Sequence, residues 1–193
     1  MPDLQQVLNR ILHEPLSYMH EARLQLPAML GGEAQADIIN KRLINRLQLN
    51  TECSVLIPGS TVTHIALNWL HLPQTAFLMS CQRQRAKLAR QGGLQRLPAW
   101  ARQFAVLDLS PAQASVGGEA INLNDLLKQS YLELCAWQGM LPLALQQRLA
   151  LLFPPLVDNI QTAVPPNPTD PLLFTLALQY AQRHPHTPAY HCQ

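Results

Sequence analysis

Charge is what this chain has least of. Asp, Glu, Lys and Arg make up 13% of its 193 residues, about half the usual share of a globular protein. So few charges keep a surface poorly solvated, which argues for a subunit partly covered by partners over a free-standing monomer. Cysteine pairing is missing too. Cys53, Cys81, Cys135 and Cys192 are far apart and form no C-x-x-C, which reads as reduced, mostly buried thiols in a cytoplasmic protein. No purely apolar window reaches the roughly 18 residues of a membrane span. The uncharged run Ser54–Ser80 is interrupted by Pro58, Gly59, His64, Asn68, His71 and Pro73. The opening MPDLQQVLNR has no basic stretch followed by an apolar one, so no secretory signal is expected there.

Signatures of chemistry are absent as well. His13-Glu14 and His20-Glu21 suggest H-E-x-x-H, but Ser17 and Leu24 stand where the second histidine belongs. Gly31-Gly32 leads to Glu33 without the Lys-Ser/Thr of a phosphate-binding loop, and no G-x-S-x-G occurs. The carboxylates are scattered, with no obvious pair on one buried helix face. His184, His186, His191 and Cys192 gather near the C-terminus, but their spacing matches no standard zinc pattern. They read as a solvated tail over residues 185–193. The expectation is a protein that is not an enzyme, with no cofactor and no metal.

Leucine and glutamine take the place of charge, with 36 Leu and 20 Gln, both good helix formers. Asp3 caps a helix in which Leu4, Val7, Leu8, Ile11 and Leu12 recur at helical period, and Pro15 stops it. Glu33 to Leu49 reads as an amphipathic helix with Ala36, Ile39, Leu43 and Leu47 on its core face. Ser60 or Thr61, Asn122 or Asn124, and Asp170 cap later helices, and Pro142 opens another. Trp69, Trp100, Phe104 and Trp137 are expected in the core. Strand alternation and tandem repeats are lacking. The class is all-α, an irregular array of about eight helices. A single domain over 1–193 is expected, with a sub-boundary at the small-residue loop 108–120.

The most informative stretch runs from Pro73 to Leu107. From Cys53 to Leu107 there are six basic residues and no acidic one, while the rest of the chain has eight basic and twelve acidic. On a single helix from about Gln74 to Gln91, Phe77, Cys81 and Leu88 fall within about 40° of each other. Arg90, Arg83 and Lys87 fall opposite, at about 220°, 240° and 280°. Gly92-Gly93 ends that helix in a left-handed cap, and a second restarts at Pro98. Arg85 breaks the pattern at about 80°, inside the apolar sector. It either snorkels from the sector's edge or forms a buried or interfacial ion pair with an acidic residue elsewhere. The candidate partner-binding residues are therefore Arg83, Lys87, Arg90 and Arg85. The face is open to three readings: plain solvation, docking of an acidic protein, or nucleic-acid binding through the hairpin 83–102. The pI near 8.4 is modest for the last.

Four stretches carry a resemblance: PLSYMHEARLQL (15–26), LARQGGLQRLPAWA (88–101), LLFPPL (151–156) and LALQYAQRHPHTP (176–188). With them the chain resembles the OrgA/MxiK family, the SctK component of type III secretion systems, in its invasion-type branch. The regions 31–50 and 108–120 carry little of it. The resemblance implies a mainly helical, non-enzymatic adaptor of the cytoplasmic sorting platform, at the cytoplasmic face of the inner membrane. Its implied partners are the cytoplasmic domain of the inner-membrane ring protein SctD and the pod protein SctQ, and through SctQ the SctL protein and the SctN ATPase.

Overall fold

The computed structural model describes residues 3–24, 33–53, 56–90, 92–109, 121–160 and 167–185. Among them are ten α-helices and no strand. The first five are α1 (Leu4–His13), α2 (Glu33–Arg46), α3 (Thr61–Leu67), α4 (Leu72–Arg83) and α5 (Arg85–Arg90). The others are α6 (Gly93–Arg96), α7 (Ala99–Ala105), α8 (Leu123–Cys135), α9 (Leu143–Leu149) and α10 (Pro171–Arg183). Single turns of 3-10 helix link several of them. The all-α expectation holds. The contacts separate two compact units, residues 1–70 with 137–158 and residues 71–136 with 159–193. Most of the anticipated loop, residues 110–120, lies outside the described residues, as do Cys192 and the tail from 186.

In the first unit, Asp3 caps α1 by accepting from the Gln5 N–H at 3.2 Å, and Leu8, Ile11 and Leu12 form its buried face. The chain then turns through Pro15–Ser17, burying Tyr18 and Met19. Tyr18 meets Trp69 edge-on, ring centroids 5.9 Å apart. Ser60 caps α3 through the Thr63 N–H.

The helix α2 departs from its expected one-sided burial. Ile39 and Leu43 are only half-buried, Leu47 is 41% exposed and Ile38 57%. Its most deeply buried described side chain is polar: Asn40, whose Oδ1 accepts from the Leu16 N–H at 2.9 Å. A side-chain amide that caps a neighbouring turn holds this helix where an apolar stripe was expected to.

At the centre of the same unit sits Arg148, with no exposed surface. Its Nε donates to the Ile11 carbonyl at 3.0 Å and its Nη2 to the Leu12 carbonyl at 2.7 Å. Its Nη1 donates to the carbonyls of Asn50 and Ala144, both at 2.7 Å. Ile11 and Leu12 lie in the last turn of α1, whose carbonyls have no partner within the helix and carry its negative dipole end. The buried cation is thus balanced by carbonyl dipoles, and no carboxylate pairs with it among the described residues. Burial lowers the guanidinium pKa, while the neighbouring Tyr18 opposes that shift.

In the second unit α4 is the axis, packed against α8, α10 and α7. Every residue from Gln74 to Gln82 is buried. This corrects the expectation of a long helix with one wet face. A helix enclosed on all sides has no solvent side to keep polar, so its polar residues must find partners inside. Gln74 Nε2 donates to the His184 carbonyl at 2.6 Å, Thr75 Oγ1 to the His71 carbonyl at 2.8 Å, and Ser80 Oγ to the Leu126 carbonyl at 3.3 Å. Gln82 Nε2 donates to the Leu107 carbonyl. The helix ends at Arg83, and Gln84, with φ −90° and ψ 7°, separates it from α5. Phe104 is a core residue here, as Trp69 and Trp137 are of the first unit, all three as expected. Trp100 is only half-buried, its ring tilted on Phe77 at a centroid distance of 5.9 Å. Asn122 and Asp125 form a capping box on α8, and Asp170 caps α10 through the Leu173 N–H at 2.9 Å.

Two outcomes are expected for the first unit. Replacing Arg148 with Met should cost about 1–3 kcal/mol in urea unfolding, the range for leaving buried acceptors without a donor. Arg148→Lys should recover only a minor part, because one ammonium cannot span the carbonyls that the fork reaches. His20 should make stability pH-dependent. Its Nδ1 accepts from the Ala22 N–H at 3.0 Å, which requires an unprotonated nitrogen. Burial lowers its pKa below the ordinary value of 6.5, so the unfolded chain takes up the proton first. Stability is then complete above that value and declines as pH falls from it toward the folded pKa. His20→Asn, which keeps a side-chain acceptor at the cap, should flatten the melting temperature between about pH 7 and pH 5.

Candidate docking face

The basic residues after Gln82 are divided between the interior and the surface. Arg83 Nε lies 2.9 Å from Glu133 Oε1 and 3.1 Å from Oε2. The Glu133 side chain is 2% exposed and that of Arg83 12%. Asn167 Nδ2 donates to Glu133 Oε1 at 2.9 Å, Arg83 Nη2 donates to the Pro168 carbonyl at 3.2 Å, and Asp170 stands 4.0 Å from the same guanidinium. Burial raises the pKa of the Glu133 carboxyl, and the contacts from Arg83 and Asn167 counter it. This cluster ties residues 167–170, which lead into α10, to α4 and α8. Arg83 is therefore turned inward. The helical-wheel placement took α4 and α5 as one rod with an outer side, whereas α4 is enclosed and its carboxylate partner is 50 residues away in the chain.

Arg85 begins α5, beyond the break at Gln84, and so is off the register that placed it in the apolar sector. Its Nη1 donates to Gln82 Oε1 at 3.0 Å, and its Nη2 lies 3.4 Å from Asp108 Oδ1. Arg85 thus meets a carboxylate from elsewhere in the chain, but the pair is not the buried one expected. Asp108 is 99% exposed, so this pair is worth at most about 1 kcal/mol.

Lys87 is half-buried, and Arg90, Arg96 and Arg102 are exposed. None of the four has an ion-pair partner among the described residues. Gly92, at φ 65°, takes the left-handed conformation expected of it, and it turns the chain from α5 into α6. Pro98 then caps α7. The four sequence-predicted residues thus fall into an inner pair, Arg83 and Arg85, held by carboxylates, and an outer pair, Lys87 and Arg90. Arg96 and Arg102 extend the outer set.

Glu133 and Arg148 escaped the sequence reading, although a signal existed for both. Each stands in an apolar stripe: Glu133 with Leu126, Leu127, Ser130 and Leu134 on α8, and Arg148 with Ala144, Leu145 and Leu149 on α9. A charged residue at a core position of a helix implies a buried partner set. The reasoning that flagged Arg85 flags these two equally.

Residues 8–183 match the family model described as "Bacterial type III secretion apparatus protein (OrgA_MxiK)". The chain is similar to the oxygen-regulated invasion protein OrgA of Salmonella typhimurium, 37% identical over 188 residues that span 96% of this chain and 92% of OrgA. It is also similar to MxiK of Shigella flexneri, 27% identical over 177 residues that span 90% of this chain and 87% of MxiK. No solved structure matches.

The inner and outer cations should separate on mutation. Arg83→Met should cost about 3–5 kcal/mol, since it strands the Glu133 carboxyl inside the unit. Adding Glu133→Leu should restore much of that loss, because well-packed apolar residues replace a buried pair at little cost. Lys87→Glu with Arg90→Glu should stay within about 0.5 kcal/mol of the parent. Urea unfolding of the set, followed by circular dichroism, checks all three.

Proposed function

Because this chain belongs to the OrgA/MxiK family of bacterial type III secretion apparatus proteins, we propose that it is a non-enzymatic adaptor of the cytoplasmic sorting platform. In this reading residues 1–193 act as one domain at the cytoplasmic face of the inner membrane. The chain joins the SctD cytoplasmic domain to the SctQ pod protein, and through SctQ to SctL and the SctN ATPase. The family match over residues 8–183 carries the proposal.

Physical features support it. The buried polar groups described above are engaged in holding helices together. Arg148 is occupied by four carbonyls and Glu133 by Arg83 and Asn167. Among the described residues no helix is long and apolar enough to cross a membrane. Several large apolar side chains remain outside, including Ile57 at 73%, Leu172 at 65% and Leu143 at 58% exposure, which suits a subunit that partners cover. Lys87 and Arg90, with Arg83 and Arg85 at their inner edge, supply the cationic part of the docking face.

Purified chain should form a complex with SctQ and with the SctD cytoplasmic domain of the same system, read by light scattering at physiological salt. Failure to bind either one ends the adaptor reading. Tight binding to duplex DNA with a steep salt slope would put the nucleic-acid reading in its place.

A further inference from the structure

The second unit contains a cavity of about 340 Å³ whose lining is mostly apolar. Phe77, Leu88, Leu97, Leu123 and Leu126 face it, and Arg96 lines it as well. Four helices contribute: α4 gives Phe77, α5 Leu88, α6 Arg96 and α8 the last two leucines. No carboxylate is among the described residues that line it. The nearest acid in the chain, Asp125, is engaged in the α8 capping box with Asn122. Arg96, at the end of α6, is exposed.

We propose that this cavity is a docking pocket for an acidic segment of a partner protein, which inserts one large apolar side chain while a carboxylate faces Arg96. The inference rests on the adaptor reading and assigns it a place on the surface. Charge complementarity selects the occupant. The stretch from Cys53 to Leu107 holds no acidic residue, and two of its six cations are neutralised by Glu133 and Asp108. Of the remaining four, Arg96 lies in the lining of the apolar recess. A recess of this kind supplies the desolvated anchor that dominates binding energy, and the cation in its lining speeds encounter and sets register. A basic or neutral segment would gain the anchor and lose the steering.

The test uses the full chain and two variants. Arg96→Glu reverses the charge of the rim. Leu123→Ser makes the recess polar at a half-buried position that begins α8. The ligands are SctQ, the SctD cytoplasmic domain, and a short fluorescein-labelled peptide of Asp, Glu and Ser around one Phe. A control peptide has Ser in place of Phe. Both variants should weaken binding of one protein partner and of the Phe peptide roughly ten-fold. The loss from charge reversal should shrink as salt rises from about 50 to about 300 mM, whereas the loss from Leu123→Ser should persist. Circular dichroism and melting show whether each variant is folded, and the rim variant, altered only at one exposed position, decides the matter if Leu123→Ser is not. If the parent binds its partners and the rim variant binds them equally well, the pocket is refuted and the adaptor reading stands. If the parent binds neither protein, the adaptor reading falls and the peptide decides: selective, variant-sensitive binding upholds the pocket. Equal binding of the Ser control, or none at all, refutes it. Self-association that the variants abolish would make this an interface between copies and would also refute it.

Discussion

A guanidinium that no carboxylate answers among the described residues is the constraint around which the first unit is built. Removing a charged group from water costs several kcal/mol even after relaxation, so Arg148 is tolerable only where enough oriented oxygen surrounds it. The last turn of α1 supplies two such carbonyls, Ile11 and Leu12. They need donors as much as Arg148 needs acceptors. Asn50 supplies a third carbonyl from the chain beyond α2, and Ala144 a fourth from the arginine's own helix. One side chain therefore connects α1, the segment after α2, and α9, which are far apart in the sequence. The Tyr18 hydroxyl, donating to the Ile11 carbonyl at 2.9 Å, joins the same set. A longer α1, or one stopped elsewhere than at Pro15, would misplace the acceptors, so the proline stop and the buried cation constrain each other.

The second unit solves a related problem with a different device. Its central helix is enclosed, yet four of its buried side chains are polar. Each one donates to a carbonyl: Thr75 to one just before α4, and Gln74, Ser80 and Gln82 to others farther along the chain. A leucine at these positions would add apolar contact and lose the tether. The Arg83–Glu133 pair continues the pattern at the end of α4, where Asn167 and the Pro168 carbonyl bring the segment before α10 into register. Because directional bonds fix where each neighbour lies, such networks suit a subunit that must present a fixed surface. That specificity role, rather than net stability, is the usual justification for polar groups in a core.

The parts of this fold that were legible in the sequence are those decided within a few residues. Asp3, Ser60, Asn122 and Asp170 cap helices because a short side-chain acceptor reaches an N–H two or three positions on. Gly92 takes a positive φ because it has no Cβ to clash. Periodicity gave the helices and most of the aromatic core. It failed for α4, since a wheel shows which side of a helix is more apolar and is silent on whether both sides are covered. It failed for α2 because Asn40, in the middle of a stripe judged by hydrophobicity, makes the decisive contact. The wheel angle puts Arg83 on an outer face, whereas its partner Glu133 comes from α8. Contacts of long sequence separation are the ones that local pattern cannot assign, and in this chain they involve its few charges.

That scarcity bears on the surface. Arg23 makes a two-pronged pair with Asp158, and its Nε donates to the Phe153 carbonyl. Arg83 and Arg148 are likewise held inside their units, and Glu133 with them. In a chain with few charges to begin with, each one taken inside thins the outer field further. What remains outside is then uneven, with Arg90, Arg96 and Arg102 following one another along α5, α6 and α7. A net charge of +2 describes this poorly. An approaching molecule senses charges within about 8–10 Å at physiological salt, so it meets the exposed cations of α5, α6 and α7 in their own neighbourhoods and never the sum over the chain. In the adaptor reading proposed above, such local cations would steer an acidic partner toward the second unit before contact.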